Sequence, residues 1–175
     1  MIADGLPPRI LSIGLVRLLA FAALFFFWQA AFESLRGSGW DRLLIDTLTV
    51  APAAALVNAL APQTGVYADG ARIVSPTEQL SILPGCEGAD AFLLLLCGVL
   101  CARRGWRETS LGLGLGLLVV YAANLCRIVA LFFAAIRDRH LFYLLHAYLG
   151  PLAVVGVAVL FFALWLGRSE RRVPA

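Results

Sequence analysis

Apolar residues along this chain gather into long runs that short charged or glycine-rich breaks separate. Four of the runs are long enough for helices that cross a membrane, because about 17–25 apolar residues span a hydrocarbon core roughly 30 Å thick. These runs cover residues 10–32, 86–102, 111–136 and 146–166. The pattern predicts an all-α integral membrane protein, a single membrane domain with about four transmembrane helices.

The first run also resembles the core of a secretory signal peptide, because Arg9 and Arg17 flank its beginning. Residues 10–32 are too long for such a core, and no small-residue cleavage site follows them. We therefore predict a retained membrane anchor.

Residues 41–61 are largely apolar but carry several interruptions. Asp41, Asp46, Pro52 and Asn58 make a full crossing of the hydrocarbon costly. We predict an amphipathic helix at the membrane interface. If this segment crossed the membrane instead, the chain would have five spans and its N-terminus would lie outside.

Residues 62–84 form the one long stretch of aqueous composition. Within it, Asp69-Gly70 lies between two short extended runs, and this dipeptide favours the tight type I′ turn of a β-hairpin. A further extended run covers residues 80–83. The sequence thus predicts a small extracytoplasmic β-hairpin just before the second span.

Composition narrows the functional classes. The chain is 61% hydrophobic, against about 45–50% in soluble domains. Its net charge of +3 comes from arginine alone and forms no basic block, so we predict no nucleic-acid partner. Cys97, Cys101 and Cys126 lie in apolar runs, where cysteine packs as a small hydrophobe. No cysteine or histidine cluster has zinc spacing, so we predict no metal and no cofactor.

The arginines predict the orientation of the chain. Arg9, the 103–107 loop and the 168–172 tail fall on one side of a four-span protein, and excess arginine marks the cytoplasmic side. Both termini are then cytoplasmic, and the hairpin faces outward. Arg137 and Arg139 are a weaker signal of the opposite sense.

Three ionisable residues fall at one depth. At 1.5 Å per residue, Cys86 and Arg127 lie about 24 Å from the inner ends of their spans, and His146 lies about 30 Å. Alone, Cys86 is typically a packing residue and His146 an interfacial one. A buried arginine normally has a partner or a function. Their common depth on successive spans predicts a shared site at the outer face.

These residues suit nucleophilic catalysis. A nearby cation and a helix N-terminus both favour the thiolate of Cys86. We expect His146 to take the thiol proton and later protonate a leaving group; Asp90 or Glu87, acting through water, is the alternative base. Arg127, always charged, is suited to stabilise an oxyanion.

Three polar neighbours are candidates for supporting roles. Asn124 lies on the same helix face as Arg127 and is expected to orient it. Asp90 lies four residues after Cys86 and is expected either to pair with Arg127 or to orient the histidine. Glu87 is expected to be solvated.

Three motifs resemble those of the exosortase/archaeosortase family of membrane cysteine transpeptidases. They are Pro-Gly-Cys86-Glu-Gly, Asn124-Leu-Cys-Arg127-Ile-Val and His146-Ala-Tyr-Leu-Gly, and the resemblance covers about residues 80–167. It implies that Cys86, Arg127 and His146 form the active site. Typical members have about eight spans, so this chain is similar to the short forms, types M and H. Glu87 stands where many members have serine.

The resemblance implies an enzyme of the bacterial cytoplasmic (inner) membrane with its active site facing the periplasm. Its substrates would be secreted proteins with a C-terminal sorting signal of the PEP-CTERM kind, made of a motif, a transmembrane helix and a basic tail. The cysteine would form a thioester and pass the protein to a surface acceptor of unknown identity, in a setting often associated with exopolysaccharide. Membrane lipid is the other partner.

Other functions remain open at this point. A non-enzymatic transport or assembly subunit would use Arg127 for anion binding or ion pairing, and would not need Cys86. A thiol oxidoreductase would need paired exposed cysteines, and only Cys86 lies at the outer face. A rhomboid-like serine protease would need a Gly-x-Ser-x-Gly-like segment within a span, and the sequence has none.

Overall fold

A computed structural model describes residues 8–170 of the chain and the side chains of residues 14–168. The predicted orientation rested in part on Arg9, Arg171 and Arg172, whose side chains lie outside that range. Five helices carry the fold: α1 (Pro8–Glu33), α2 (Gly39–Leu60), α3 (Ala89–Cys101), α4 (Trp106–Arg137) and α5, which runs from Arg139 to Glu170. Two contain π-helical turns, Leu43–Val50 in α2 and Leu145–Leu149 in α5, and a 3₁₀ turn, Pro62–Thr64, follows α2.

Four helical stretches among the described residues are long and apolar enough to cross a membrane. They are Gly14–Glu33, Gly39–Leu60, Trp106–Arg137 and Arg139–Arg168. The structure has as many candidate spans as the sequence predicted, but they are not the same four segments. Helix α2, predicted to lie at the interface, has the length and composition of a span, whereas α3, predicted to cross, has only 13 residues.

The predicted hairpin is present and forms part of a three-stranded sheet. Strands β1 (Tyr67–Asp69), β2 (Arg72–Val74) and β3 (Gln79–Ser81) pair antiparallel in that order. The turn is one residue later than predicted, because Asp69 pairs with Arg72 and leaves Gly70-Ala71 as the loop. Gly70 has a φ of +55°, as a type II′ turn requires at its first central position.

Helices α3, α4 and α5 pack against one another, and α1 packs on α3. The buried residues they share form what we call the bundle core: Ala91, Leu95, Val99, Val120, Val154 and Ala158. Helix α4 carries three glycines at alternate positions, Gly112, Gly114 and Gly116, and two of them allow close helix approach. A Cβ on Gly112 would lie 2.7 Å from Trp165, and one on Gly116 would lie 2.5 Å from Leu95. Gly114 faces open space.

A second core lies between α2, the sheet and the C-terminal half of α4. We call it the sheet core, and its most deeply buried members are Val50, Val57, Ile73, Ile128 and Phe132. The sheet packs beside α2 rather than continuing beyond its end. Cys86 belongs to this core. The fold therefore places the candidate nucleophile with the sheet, next to the bundle.

Candidate active site

Cys86 lies in the loop that joins β3 to α3, with only 8% of its surface exposed. Helix α3 begins at Ala89, after an N-cap at Gly88. The sequence predicted that the thiol would lie in the first turn of a helix. In the structure it lies three residues before that helix begins. Gly85 (φ +94°) and Gly88 (φ +81°) flank the cysteine with left-handed backbone, a conformation that glycine adopts at no steric cost.

Asn124 joins the cysteine loop to α4. Its side-chain amide donates to the carbonyl oxygen of Cys86 at 2.9 Å, and the residue is only 2% exposed. A Cβ on Gly88 would lie 2.9 Å from Cγ of Asn124, so this glycine is required for steric reasons too. The predicted bond from Arg127 to Asn124 is long, 3.5 Å between Nη1 and Oδ1. The main role of Asn124 in this geometry is to hold the cysteine backbone.

Arg127 lies one helical turn after Asn124 and is half-buried. Its buried Nε has no hydrogen-bond partner among the described residues. The side chain packs against Gly150 of α5, where an added Cβ would lie 2.8 Å from Nε. Arg127 and Gly150 also line a cavity of about 420 Å³ between α4 and α5. A cation whose Nε has no partner among the described residues thus faces the cavity between α4 and α5.

His146 lies in the π turn of α5 and stacks on Phe142, with ring centroids 5.5 Å apart and planes 7° from parallel. No hydrogen bond or ion pair joins its ring to another described residue. Its neighbours Phe142 and Leu145 pack against the sheet core, to which Cys86 belongs. The structure therefore joins Cys86 to Asn124, and Asn124 to Arg127 by the long bond, and places the histidine on the adjoining helix without a direct bond to them.

The expectations for Glu87 and Asp90 differ from the structure. Glu87 is not solvated: its side chain is 3% exposed and forms an ion pair with Arg36 at 2.8 Å. Its second carboxylate oxygen accepts from the backbone N–H of Gly85 at 2.6 Å. Asp90 pairs with neither Arg127 nor the histidine, and instead accepts a hydrogen bond from Gln29 of α1 at 3.0 Å.

Arg36 is the residue that sequence reasoning missed. It lies between α1 and α2, bonds Glu33 at 3.1 Å and Glu87 at 2.8 Å, and approaches Asp41 at 3.6 Å. Its guanidinium also lies 5.0 Å from the ring centroid of Phe32. Fifty-one residues separate Arg36 from Glu87, so no local pattern could have joined them. The weak signal was an arginine in a short break between two apolar runs.

The electrostatics of the site keep the resting thiol neutral. Burial raises the pKa of Cys86 above its ordinary value, and the charge of Glu87 adds to the rise. The positive charge of Arg127 opposes both without cancelling them. At neutral pH the sulfur is therefore mainly protonated and needs a base to become a nucleophile.

A second cavity, of about 690 Å³, opens beside the cysteine loop. Glu87, Gly88 and Ala89 form one wall, and apolar side chains of α1 to α4 form the rest. Two of the polar side chains on its lining are already paired. Thr49 donates to the carbonyl of Leu44 at 2.7 Å, and Tyr121 to that of Leu48 at 2.8 Å. Such a space suits an apolar occupant.

Comparison with known proteins gives one match. The family model described as transmembrane exosortase matches residues 10–164. The match includes α1, α2 and the sheet, which precede the three motifs. It identifies the family as a whole, so similarity to types M or H stays a prediction. No curated protein and no solved structure matches the chain.

Proposed function

Because the chain belongs to the transmembrane exosortase family, we propose that it is a membrane cysteine peptidase or transpeptidase. It cleaves the C-terminal sorting signals of secreted proteins and transfers the shortened protein to a surface acceptor. The observation that carries this proposal is the contact between two motifs 38 residues apart, in which Asn124 holds the carbonyl of Cys86. Arg127, one turn further along α4, is near enough for its charge to act on the same thiol.

The reaction follows from the roles of the three motif residues. His146 takes the proton of Cys86, and the thiolate attacks the carbonyl carbon of the scissile peptide bond. The developing oxyanion accepts hydrogen bonds from Arg127, whose Nε–H is not used by another described residue. The imidazolium then protonates the leaving amine, and the C–N bond breaks to leave a thioester.

The second half of the reaction releases the product. A nucleophile of the acceptor, or water, loses its proton to His146 and attacks the thioester carbonyl. The C–S bond breaks, and the thiolate of Cys86 recovers the proton from the imidazolium. At the end of the cycle Cys86 and His146 are back in their starting protonation states, and no oxidant or reductant is needed. The base is required because burial keeps the resting thiol protonated.

The membrane placement that we propose has the bundle in the lipid and the sheet core above it, at the periplasmic surface. A sheet with free edges cannot face hydrocarbon, because its unpaired backbone groups would remain unsatisfied. Since the sheet packs along α2, α2 lies with it at the interface. Helix α4 has 32 residues and reaches about 48 Å at 1.5 Å per residue, long enough to cross and project beyond the membrane.

This arrangement leaves α1, α4 and α5 as long crossing helices, with both chain termini in the cytoplasm. Helix α3, whose 13 residues reach only about 20 Å, crosses together with the residues that flank it. The arginines at 103, 104 and 107 then lie on the cytoplasmic side. Cys86 comes to the outer boundary. The apolar cavity beside it is suited to the hydrophobic residues next to a scissile bond in a membrane-anchored substrate.

The test is processing of a secreted reporter with a C-terminal sorting signal, co-expressed with the wild type or with Cys86→Ser. A matched control is Cys101→Ser, because Cys101 is the last residue of α3 and lies outside the three motifs. We expect the wild type and the control to shorten the reporter, and Cys86→Ser to leave it intact at equal membrane levels.

Equal processing by Cys86→Ser would contradict the proposal and favour the non-enzymatic transport or assembly subunit. If no variant acts on the first reporter, a panel of signals with different motifs is screened against the wild type. Failure across that panel would also count against the peptidase.

A further inference from the structure

We propose that Arg36 and Glu87 are positioning residues for Cys86: their partly buried ion pair fixes the cysteine loop and neutralises the carboxylate beside the thiol. The inference rests on the proposed function, because it assigns a role in readying that nucleophile. Arg36 belongs to none of the three motifs by which the active site was predicted, and Glu87, although it lies in the first of them, was expected to be solvated.

The loop around Cys86 is held by hydrogen bonds from two sides. Two left-handed glycines, Gly85 and Gly88, leave the backbone around the cysteine without helical support. On one side, Asn124 bonds the carbonyl of Cys86 at 2.9 Å. On the opposite side, Glu87 bonds the N–H of Gly85 at 2.6 Å and is itself held by Arg36. The loop is therefore fixed at the residues that precede, contain and follow the sulfur.

Arg36, which holds Glu87, is itself fixed by several contacts. Arg36 donates from Nε and Nη2 to the two carboxylate oxygens of Glu33, and its guanidinium lies over Phe32. Asp41 lies 3.6 Å away and also accepts from the N–H of Gly37. Bidentate arginine–carboxylate pairs are geometrically specific. The junction of α1 and α2 thus presents Arg36 to Glu87 in one orientation.

The carboxylate of Glu87 places a negative charge near the thiol of Cys86. A carboxylate beside a thiol opposes ionisation of the thiol. Glu87 has this effect on Cys86, and Arg36 supplies the opposite charge 2.8 Å from the carboxylate. The other groups around the loop are Arg127 on α4, Asp90 on α3, which bonds Gln29, and His146 on α5. Without Arg36, the charge of Glu87 would act on the thiol uncompensated.

The experiment measures the pH dependence of Cys86 alkylation by iodoacetamide, a small neutral reagent. The full chain is used in detergent, with Cys97, Cys101 and Cys126 changed to alanine so that one thiol reports. Four versions are compared: the parent, Arg36→Gln, Glu87→Gln and the double variant. Arg42→Gln is the matched control, because Arg42 is an exposed arginine nearby on α2. Melting temperatures are recorded alongside.

The proposal expects opposite shifts. Arg36→Gln moves the alkylation midpoint to higher pH and slows labelling at pH 8 by about tenfold, since one pKa unit is tenfold in thiolate. Glu87→Gln moves the midpoint to lower pH, and the double variant returns it close to the parent. The plateau rate at high pH rises in the double variant, because a loop without its anchor exposes a thiol that is only 8% exposed in the parent.

Midpoints that stay fixed, or that shift in one direction for both single variants while the melting temperature drops, would show a purely structural pair and overturn the inference. A parent thiol that resists labelling at every pH would overturn it as well. Opposite shifts together with a reporter that Cys86→Ser still processes would leave the inference standing and sink only the peptidase function.

Discussion

The bundle core and the sheet core are built by different means from neighbouring stretches of the same helix, α4. In the bundle core, glycines let helices approach until Gly112 touches Trp165 and Gly116 touches Leu95. In the sheet core, single polar bonds join distant elements, such as Tyr121 to the Leu48 carbonyl of α2. Apolar packing of small residues is the usual means of helix association in lipid.

The difference shows where chemistry can be placed. Each polar side chain in the sheet core has a specific partner: Asn124 has the Cys86 carbonyl, and Asn58 has the backbone of Val66. Buried polar groups need such partners and then specify one arrangement. Arg127 lies at the border of the two cores, with Gly150 of α5 against it. We therefore expect changes in the bundle to affect stability and changes at the border to affect activity.

The largest expected effect is that of Arg127→Gln, which tests whether activity and stability separate at the border. Reporter processing should fall about 100- to 1,000-fold, as when one oxyanion donor is removed elsewhere. The melting temperature should change little, because the guanidinium has one long hydrogen bond among the described residues. Arg137→Gln, at the end of α4, is the control and should keep full activity. A large fall in melting temperature for Arg127→Gln would instead identify a structural arginine.

Next in size is Gly116→Ala, which tests the bundle. The new Cβ would lie 2.5 Å from Leu95 and 3.0 Å from Phe161, and overpacking of this kind costs about 1–3 kcal/mol. The free energy of unfolding, measured in mixed micelles, should fall by that amount while the remaining folded protein keeps its activity. Gly114→Ala is the control, because nothing lies within 4 Å of that position. Equal losses from both variants would contradict the close helix contact.

The smallest effect belongs to Tyr121→Phe, which removes one polar bond between α4 and α2. Loss of the bond to the Leu48 carbonyl should lower the free energy of unfolding by about 0.5–1.5 kcal/mol. Tyr143→Phe, at an exposed position on α5, should have no measurable effect. An unchanged free energy for Tyr121→Phe would show that apolar packing alone joins α2 to α4.

Sequence reasoning predicted the features that depend on local pattern. Apolar runs placed α1 and α4 and most of α5, which begins at Arg139 rather than at residue 146, and the Asp69-Gly70 pair located the hairpin to within one residue. It did not predict that Cys86 precedes α3 or that Glu87 is buried, because both depend on contacts between distant segments. Local polarity indicated a solvated Glu87, and the ion pair with an arginine 51 residues earlier overrides it.

The π turn at Leu145–Leu149 also bears on the history of this helix. A π turn holds one more residue than an α-helical turn in the same helix, and Gly150 completes it by donating its N–H to the Leu145 carbonyl. Deleting one residue there would rotate everything before it by about 100° relative to the segment that follows. His146 would then leave its present face, while Gly150–Glu170 kept its own. Single-residue gaps in homologues at this point would therefore mark changes of active-site geometry rather than neutral length variation.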